Sequence, residues 1–406
     1  MVKLRFGLNL FAVHEYYFSE TTQQNVKMKR TAMILMCLTT MLTATAQEQI
    51  ESPIVSEKDS AYYVNQEHLW KQLTQEQPTN GNAWRNLYQA ANYQQWFGQR
   101  NDAKLSQILD DMGKAIPQDY NYFWCMYKNK VGSDESFEWA EKALKCLPED
   151  MSFFDYDMWT GYLMMRFDET RLTALCQRYY QSGLYSPGIL QYNYNEMQGM
   201  DEGGIYFGNG DACLIPKAIL QYGKGVHKDK LVVCMSFLAI PDYREKLLAR
   251  LGIDAKLFQY EQPKTEEEYD RQEREFIDLI LQHTKRPVYF STLNGVERNA
   301  PWEKQLYNEG LTLRYSTKKY DNFSVKRRNV EERYLMEYLL EQFTPDHWIT
   351  SDRLSANYAV LLSDLLAWYK THDERRYKWL MRLLMNGIDR TDLPQERKEE
   401  FRKQLQ

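Results

Sequence analysis

The apolar residues between positions 61 and 187 follow a helical period that proline interrupts repeatedly. The helix-like runs end at Pro78, Pro117, Pro148 and Pro187. Proline stops a helix because it lacks the backbone N–H and its ring clashes with the preceding turn. The four prolines recur every 31 to 39 residues, close to the roughly 34-residue period of tetratricopeptide repeats. We therefore predict a tetratricopeptide-like solenoid of helical repeats over residues 47–199.

Two segments carry parts of the repeat signature. In "FEWAEKALKCLPED", Ala140, Ala143 and Leu144 place small and apolar residues on one helical face before the proline. In "NAWRNLYQAANY", Trp84 and Leu87 have the W-x-x-L spacing of the repeat's first helix. This copy is degenerate, because a tyrosine follows Leu87 where the repeat usually has glycine.

The pattern changes near residue 200 to short runs of β-branched and aromatic residues bounded by turns. These runs are "GIYFGNGD", "KLVVCMSFLAI" and "RPVYFSTL". Helical patterns alternate with them, as in "PDYREKLLARLG" and "EEEYDRQEREFIDLILQHT". Alternating strands and helices predict a small parallel α/β sheet over residues 200–326, with "LTLRYSTK" as an edge strand.

The remaining residues, 327–406, read as helical again. "SANYAVLLSDLLAWYKTHDERRYKWLMRLLMNGI" predicts a helical hairpin hinged at Thr371, His372 and Asp373. The predicted fold class is therefore α plus α/β: a helical-repeat solenoid, a small parallel α/β domain and a C-terminal helical hairpin.

Composition narrows the function classes. Of 406 residues, 43% are hydrophobic, 26% are charged and 14% are aromatic. The chain has 51 Lys and Arg and 56 Asp and Glu, which gives a net charge of −5. A nucleic-acid binder usually presents a basic face, so we predict no nucleic-acid partner. The length allows two or three domains with their own cores.

Residues 1–46 read as an upstream extension followed by a secretory signal peptide. Lys29 and Arg30 precede an apolar run, which ends in Ala44 and Ala46 before Gln47. The run is shorter than the roughly 20 residues of a membrane span, and no later segment is long and apolar enough. We predict cleavage near Gln47 and export to the periplasm or cell envelope.

The cysteines and histidines give no catalytic or metal constellation. Five cysteines follow Gln47 without a C-x-x-C pair, and most lie in apolar runs, so we predict buried free thiols, with one disulfide left open. The histidines are scattered, and neither H-E-x-x-H nor G-x-S-x-G occurs. We predict no catalytic residue, no metal and no cofactor.

The turn in "GIYFGNGDAC" resembles a phosphate-binding loop but lacks its chemistry. Asp211 stands after Gly210, where a Walker loop has lysine, and Cys213 occupies the third glycine of a dinucleotide fingerprint. We interpret Asp211 as the N-cap of the next helix, after positive φ angles at Asn209 and Gly210.

A second interpretation of this turn is a ligand site. Ligand-binding sites of parallel α/β sheets usually lie at the carboxyl ends of the strands. The candidate ligand-binding residues there are Asn209, Asp211, Ser236 and Ser291.

Aromatic residues at helical spacing offer a candidate interaction surface. The candidates are Trp84, Tyr127, Trp159 and Tyr162. Such residues mostly fill the space between packed helices, and this core interpretation is favoured. The alternative is a concave groove in which they anchor a protein partner or a glycan.

One segment resembles a family of bacterial proteins. "IYFGNGDACLIPKAILQYGKGVHKDKLVVCMSFLAIPDYREKLL" is similar to the soluble C-terminal part of multi-spanning membrane proteins related to the protein O-mannosyltransferase-like transmembrane proteins. Asn209, Gly210 and Asp211 match its N-G-D element. Val232, Val233, Ser236 and Leu238 match V-V-N-x-S-L, in which Cys234 replaces the asparagine.

The resemblance continues downstream and covers residues 200–394. Arg286 to Phe290 look like its R-P-I-Y-F-A element, and Glu309 to Arg314 look like its E-G-L-x-Y-R element with Leu313 at the tyrosine position. The membrane domain that would carry sugar transfer has no counterpart. The resemblance therefore implies a relative of the soluble module and does not carry over transferase activity.

These observations favour a non-catalytic exported envelope protein. Its repeats would form a tetratricopeptide-like scaffold that binds an envelope protein, with the α/β domain as an accessory module. The alternative is an enzyme or glycan-binding module with its site at the strand ends near Asp211.

Overall fold

The computed structural model describes residues 47–53, 55–131 and 133–405. The predicted upstream extension and signal peptide, residues 1–46, lie outside this part of the chain. The described residues are mostly helical and contain one small mixed sheet. They divide into two compact units. We name residues 57–149, with 47–53, the helical unit, and residues 150–405, with 55–56, the sheet unit.

Five helices build the helical unit. They are α1 (Ser60–Glu76), α2 (Gly81–Tyr93), α3 (Asp102–Ala115), α4 (Tyr120–Lys130) and α5 (Glu135–Leu144). Side chains of Asp59, Asn80, Asn101 and Asp119 accept an amide hydrogen bond at the start of α1, α2, α3 and α4, which satisfies donors that a helix leaves unpaired.

The predicted proline boundaries in this unit are real helix ends. Pro78 lies between α1 and α2, and Pro117 lies between α3 and α4. Helix α1 packs on α2, and α4 packs on α5. Paired helices are therefore present, whereas their stacking into a repeat solenoid is not confirmed.

The sheet unit contains twelve helices among its described residues. They are α6 (Phe153–Arg166), α7 (Glu169–Ser182), α8 (Pro187–Gly199), α9 (Asp211–Ala218), α10 (Pro241–Leu251), α11 (Glu266–His283), α12 (Val296–Asn299), α13 (Asn322–Arg328), α14 (Ile349–Leu361), α15 (Ser363–His372), α16 (Glu374–Arg390) and α17 (Gln395–Leu405). Helices α9 and α13 continue as π-helical segments, Ile219–Lys224 and Asn329–Arg333.

The predicted C-terminal hairpin has its hinge where expected, with one additional break. Asp373 separates α15 from α16, and its side chain caps α16. The first arm is interrupted at Leu362, which divides it into α14 and α15.

The sheet has five strands in the order β2-β1-β3-β5-β4. They are β1 (Ile205–Gly208), β2 (Leu231–Cys234), β3 (Val288–Ser291), β4 (Leu306–Asn308) and β5 (Thr312–Tyr315). Strand β1 is parallel to β2 and β3, as predicted, whereas β5 is antiparallel to both β3 and β4.

The prediction of a purely parallel sheet was wrong, and so was the edge position of "LTLRYSTK". That segment is β5, which lies between β3 and the unforeseen edge strand β4. The antiparallel direction of β4 relative to β5 follows from the short turn between them, where Gly310 has φ +120°. Such a short connection joins strands only as an antiparallel hairpin.

The two faces of the sheet differ in chemistry because successive strand residues point to opposite sides. One face carries Ile205, Phe207, Val288 and Phe290, which pack in a hydrophobic core with residues of α10 and α11. The opposite face carries Tyr206 and Tyr289, which pack with residues of α9 in a second apolar cluster. We name it the polar face because the Tyr206 hydroxyl donates a hydrogen bond to Glu196 of α8 there.

The compact units divide between residues 149 and 150, so helices α6 to α8 belong to the sheet unit. The predicted domain boundary at 199/200 stays a prediction, and a change in secondary structure falls at that point of the chain. Helix α8 ends at Gly199, and the first strand begins at Ile205.

Candidate ligand site and interaction surface

The predicted ligand site lies at a switch point of the sheet. The chain leaves β1 for β2 on one side and later returns to β3 on the other. Open α/β sheets bind ligands at such points, outside the carboxyl ends of the strands. Asn209 and Ser236 meet there, because the Ser236 hydroxyl donates a hydrogen bond to Oδ1 of Asn209.

Ser291 is brought to the same edge but lies inside the protein. Its side chain is fully buried, and its Oγ accepts a hydrogen bond of 3.0 Å from the amide of Leu293. Ser291 therefore stabilises the turn after β3 and does not join Asn209 and Ser236 at the surface.

The turn before α9 is built differently from the prediction. Gly210 is the N-cap, with φ +87° and ψ 153°, and no side chain caps the helix. This backbone region is essentially restricted to glycine. The N-cap role predicted for Asp211 was wrong, because Asp211 is already the first helical residue. Its carboxylate there matches the positive end of the helix dipole.

A fully buried ion pair lies on the polar face behind this turn. The Lys217 ammonium on α9 is 2.6 Å from Oε2 of Glu196 on α8, and neither side chain is exposed. It also donates to Oδ1 of Asn193 at 2.5 Å and to the carbonyl of Cys213 at 2.9 Å. Burial raises the pKa of Glu196, and the ammonium opposes that increase. Sequence reasoning missed this pair.

The polar network continues from this ion pair into the sheet. The Tyr206 hydroxyl on β1 donates to Oε1 of Glu196 at 2.9 Å and lies 3.0 Å from the Cys213 thiol. That thiol is 3.6 Å from Oγ of Ser291. The Lys217 ammonium is 4.3 Å from the centre of the Tyr206 ring, within the range of a cation–π contact.

Pro216 explains why Asn193 is part of this network. Proline inside α9 has no N–H to donate to the Ala212 carbonyl one turn earlier. The Asn193 side-chain amide donates to that carbonyl instead, at 2.9 Å. Asn193 thereby joins α8 to α9 and presents its Oδ1 to Lys217. The available sequence signal was the proline inside a helical pattern.

The four aromatic candidates for partner binding lie in the cores of the two units. The exposed fractions are 9% for Trp84, 8% for Tyr127, 0% for Trp159 and 2% for Tyr162. This burial favours the core alternative, in which the rings fill space between helices. Partner binding by these four stays a prediction that requires them to become exposed.

Two other aromatic residues are exposed in the helical unit. Trp96 and Phe97 are 44% and 41% exposed and occupy a short 3-10 helix after α2, which Gly98 ends with φ +70°. The Trp96 ring stacks on Tyr93 at 4.7 Å, and Phe97 lies 6.1 Å from Tyr63. We name Trp96 and Phe97 the aromatic surface.

Four of the five cysteines that follow Gln47 are buried and all five are free thiols, while Cys146 is exposed. Across the described ranges, no three His, Cys, Asp or Glu side chains are placed to hold a metal ion. In the same part of the chain, no helix has the length and apolar character needed to cross a membrane.

Comparison with known proteins adds no family assignment. No protein-family model matches the chain, and the searches of curated proteins and of solved structures give no significant match. The resemblance to the soluble module of the membrane-protein family therefore stays a prediction.

Proposed function

We propose that the chain is a non-catalytic protein of the cell envelope that binds another envelope protein through its helical unit. The observation that carries the proposal is the aromatic surface, where Trp96 and Phe97 are each more than 40% exposed. Contiguous exposed apolar patches often mark interaction sites. Tryptophan is also among the residues that contribute most to the binding energy of protein interfaces.

The surroundings of the aromatic surface support a role in binding because they hold its rings in place. Tyr63 and Tyr93, which contact Phe97 and Trp96, are 1% and 4% exposed, and their rings meet edge-on at 5.5 Å. A surface ordered before binding loses less side-chain entropy when a partner docks. We expect the partner to offer an apolar pocket that accepts one of the two rings.

Export is the second part of the proposal. It rests on the predicted signal peptide before Gln47 and on the resemblance to a soluble envelope module. Export would place the protein in the periplasm or cell envelope. The partner is therefore sought in the envelope fraction of the cell.

A second candidate function is a small-molecule or glycan site at the strand ends. It is supported by the position of Asn209 and Ser236 at the switch point of the sheet. This candidate needs no protein partner, so the same experiment separates the two functions.

The test is a crosslinked pull-down of the tagged full chain from the envelope fraction, with recovered proteins quantified by mass spectrometry. We expect one envelope protein to be enriched with the wild type and lost with Trp96→Ser/Phe97→Ser. An interface anchor contributes about 2 kcal/mol or more, so the affinity should fall at least about 30-fold, and recovery should fall with it when the partner is below its Kd. Fractionation should also place the tagged chain in the envelope, with its N-terminus near Gln47.

The matched control is Leu257→Ser, which removes another exposed apolar side chain, 54% exposed, from the sheet unit. It should retain the partner. Equal recovery with the aromatic double variant would contradict the proposal. Recovery of no protein, together with retention of a glycan by the purified chain, would favour the strand-end site.

A further inference from the structure

The outer face of α13 and of the π-helical segment that continues it forms an open groove. Its volume is about 310 Å³, and it belongs entirely to the sheet unit. The side chains that line it are Ser324, Val325, Arg327, Arg328, Glu331 and Glu332. The groove is therefore a charged surface along which two basic residues precede two acidic ones.

Most of the charged groups around the groove are paired within the chain. The Lys326 ammonium is 2.7 Å from Oδ2 of Asp364. Nε of Arg327 is 3.9 Å from Oε1 of Glu331, and the same oxygen accepts a hydrogen bond of 2.7 Å from the Tyr369 hydroxyl. These groups neutralise one another and need no partner from outside.

Two charges of the groove are left over. Arg328 and Glu332 are exposed, and neither makes a hydrogen bond or an ion pair with any residue that the structure describes. Both line the same groove. The groove therefore presents one charge of each sign that has no ion-pair partner.

A surface with this pattern is complementary to itself. A two-fold axis places one residue of the first copy opposite a second residue of the other copy, and the reverse contact forms by symmetry. An axis that passes between Arg328 and Glu332, perpendicular to the helix, makes the two helices antiparallel. Arg328 of each copy then faces Glu332 of the other. The chain itself therefore supplies the charge pattern that its groove matches.

The same axis brings apolar side chains together at both ends of the groove. Leu335 follows Glu332 by three residues, and Val325 precedes Arg328 by the same number. Leu335 of each copy therefore lies at the level of Val325 of the other. Leu335 is 51% exposed, so burying it adds an apolar contribution to ion pairs that contribute little alone when they are exposed.

We propose that this groove is the interface of a weak homodimer with two-fold symmetry. Arg328 and Glu332 form reciprocal ion pairs across the axis, and Leu335 docks beside Val325. The interface uses residues of the sheet unit alone. The inference is therefore independent of the partner binding proposed for the aromatic surface of the helical unit.

The test is sedimentation velocity of the purified full chain over a series of concentrations. We expect a concentration-dependent dimer that dissociates as salt is raised, because salt screens exposed ion pairs. Arg328→Glu brings two acidic side chains together at both contacts, and Glu332→Arg brings two basic ones together. Each variant alone should dimerise at least about tenfold more weakly than the wild type, since like charges placed opposite each other are strongly unfavourable.

An equimolar mixture of the two variants distinguishes the proposed contact from general damage. In a mixed dimer, one copy carries acidic side chains at both positions and the other carries basic ones, so both contacts attract again. The mixture should recover the dimer affinity of the wild type. The matched control is Lys378→Glu, which reverses another exposed charge of the sheet unit and should dimerise as the wild type does.

Three results would overturn the proposal. The first is a wild type that stays monomeric at low salt at every concentration. The second is wild-type dimer affinity in both reversed variants. The third is a mixture of variants, each folded by circular dichroism, that stays as monomeric as its components. None of these measurements uses an envelope protein, so their outcome is separate from that of the pull-down.

Discussion

Replacing Lys217 by methionine is expected to lower the free energy of unfolding by about 3–5 kcal/mol, because removal of one partner leaves an uncompensated buried charge. Glu196 is fully buried, and Lys217 is its cationic partner at 2.6 Å. Methionine also removes the hydrogen bond to Asn193, which loosens the contact between α8 and α9. The measurement is urea denaturation of the full chain, followed by circular dichroism.

Two further variants separate the charge effect from general damage. The double variant Lys217→Met/Glu196→Leu should recover most of the lost stability, because a buried ion pair exchanged for apolar residues is often neutral. Lys378→Met removes an exposed ion pair with Glu374 and should leave the unfolding midpoint unchanged. A Lys217→Met protein as stable as the wild type would show that this ion pair is not buried as described.

The second large effect is expected at Trp159. Trp159→Ala should cost about 3–5 kcal/mol, the usual range for removing a large aromatic side chain from a packed core. The ring is fully buried on α6, and the surroundings cannot collapse completely around alanine. The same denaturation experiment measures the loss.

Trp96→Ala is the matched substitution for Trp159→Ala. Its ring is 44% exposed, so the loss of stability should be much smaller, whereas partner recovery should fall. Trp159→Ala should change partner recovery only as far as it unfolds the chain. If Trp159→Ala kept its stability and selectively lost the partner, the groove interpretation of Trp159 would replace the core interpretation.

Much of the fold could be predicted from the sequence because its determinants are local. The prolines at positions 78 and 117 mark true helix boundaries, and Asp373 caps the helix after the predicted hinge. The apolar runs gave four of the five strands. The direction of β5 was missed because it depends on the turn at Gly310 and on pairing with β4, which no single segment determines.

The candidate sites could be predicted less well from the sequence than the fold. The ion pair between Glu196 and Lys217 joins two helices through contacts that exist only in the folded chain. Helical spacing showed that aromatic residues belong to helices but did not separate buried Trp159 from exposed Trp96. Helix α2 ends at Tyr93, and Trp96 lies beyond it in a short 3-10 helix. The exposure of Trp96 therefore depends on where α2 ends, which helical spacing did not fix.

Site-specific photo-crosslinking can show whether the aromatic surface contacts an envelope protein. A photoreactive phenylalanine analogue is introduced at position 97 in the full chain, and at position 257 of the sheet unit as a control. We expect one crosslinked envelope protein from position 97 and none from position 257. Recovery of the same protein from position 257, with no crosslink from position 97, would contradict the proposed contact.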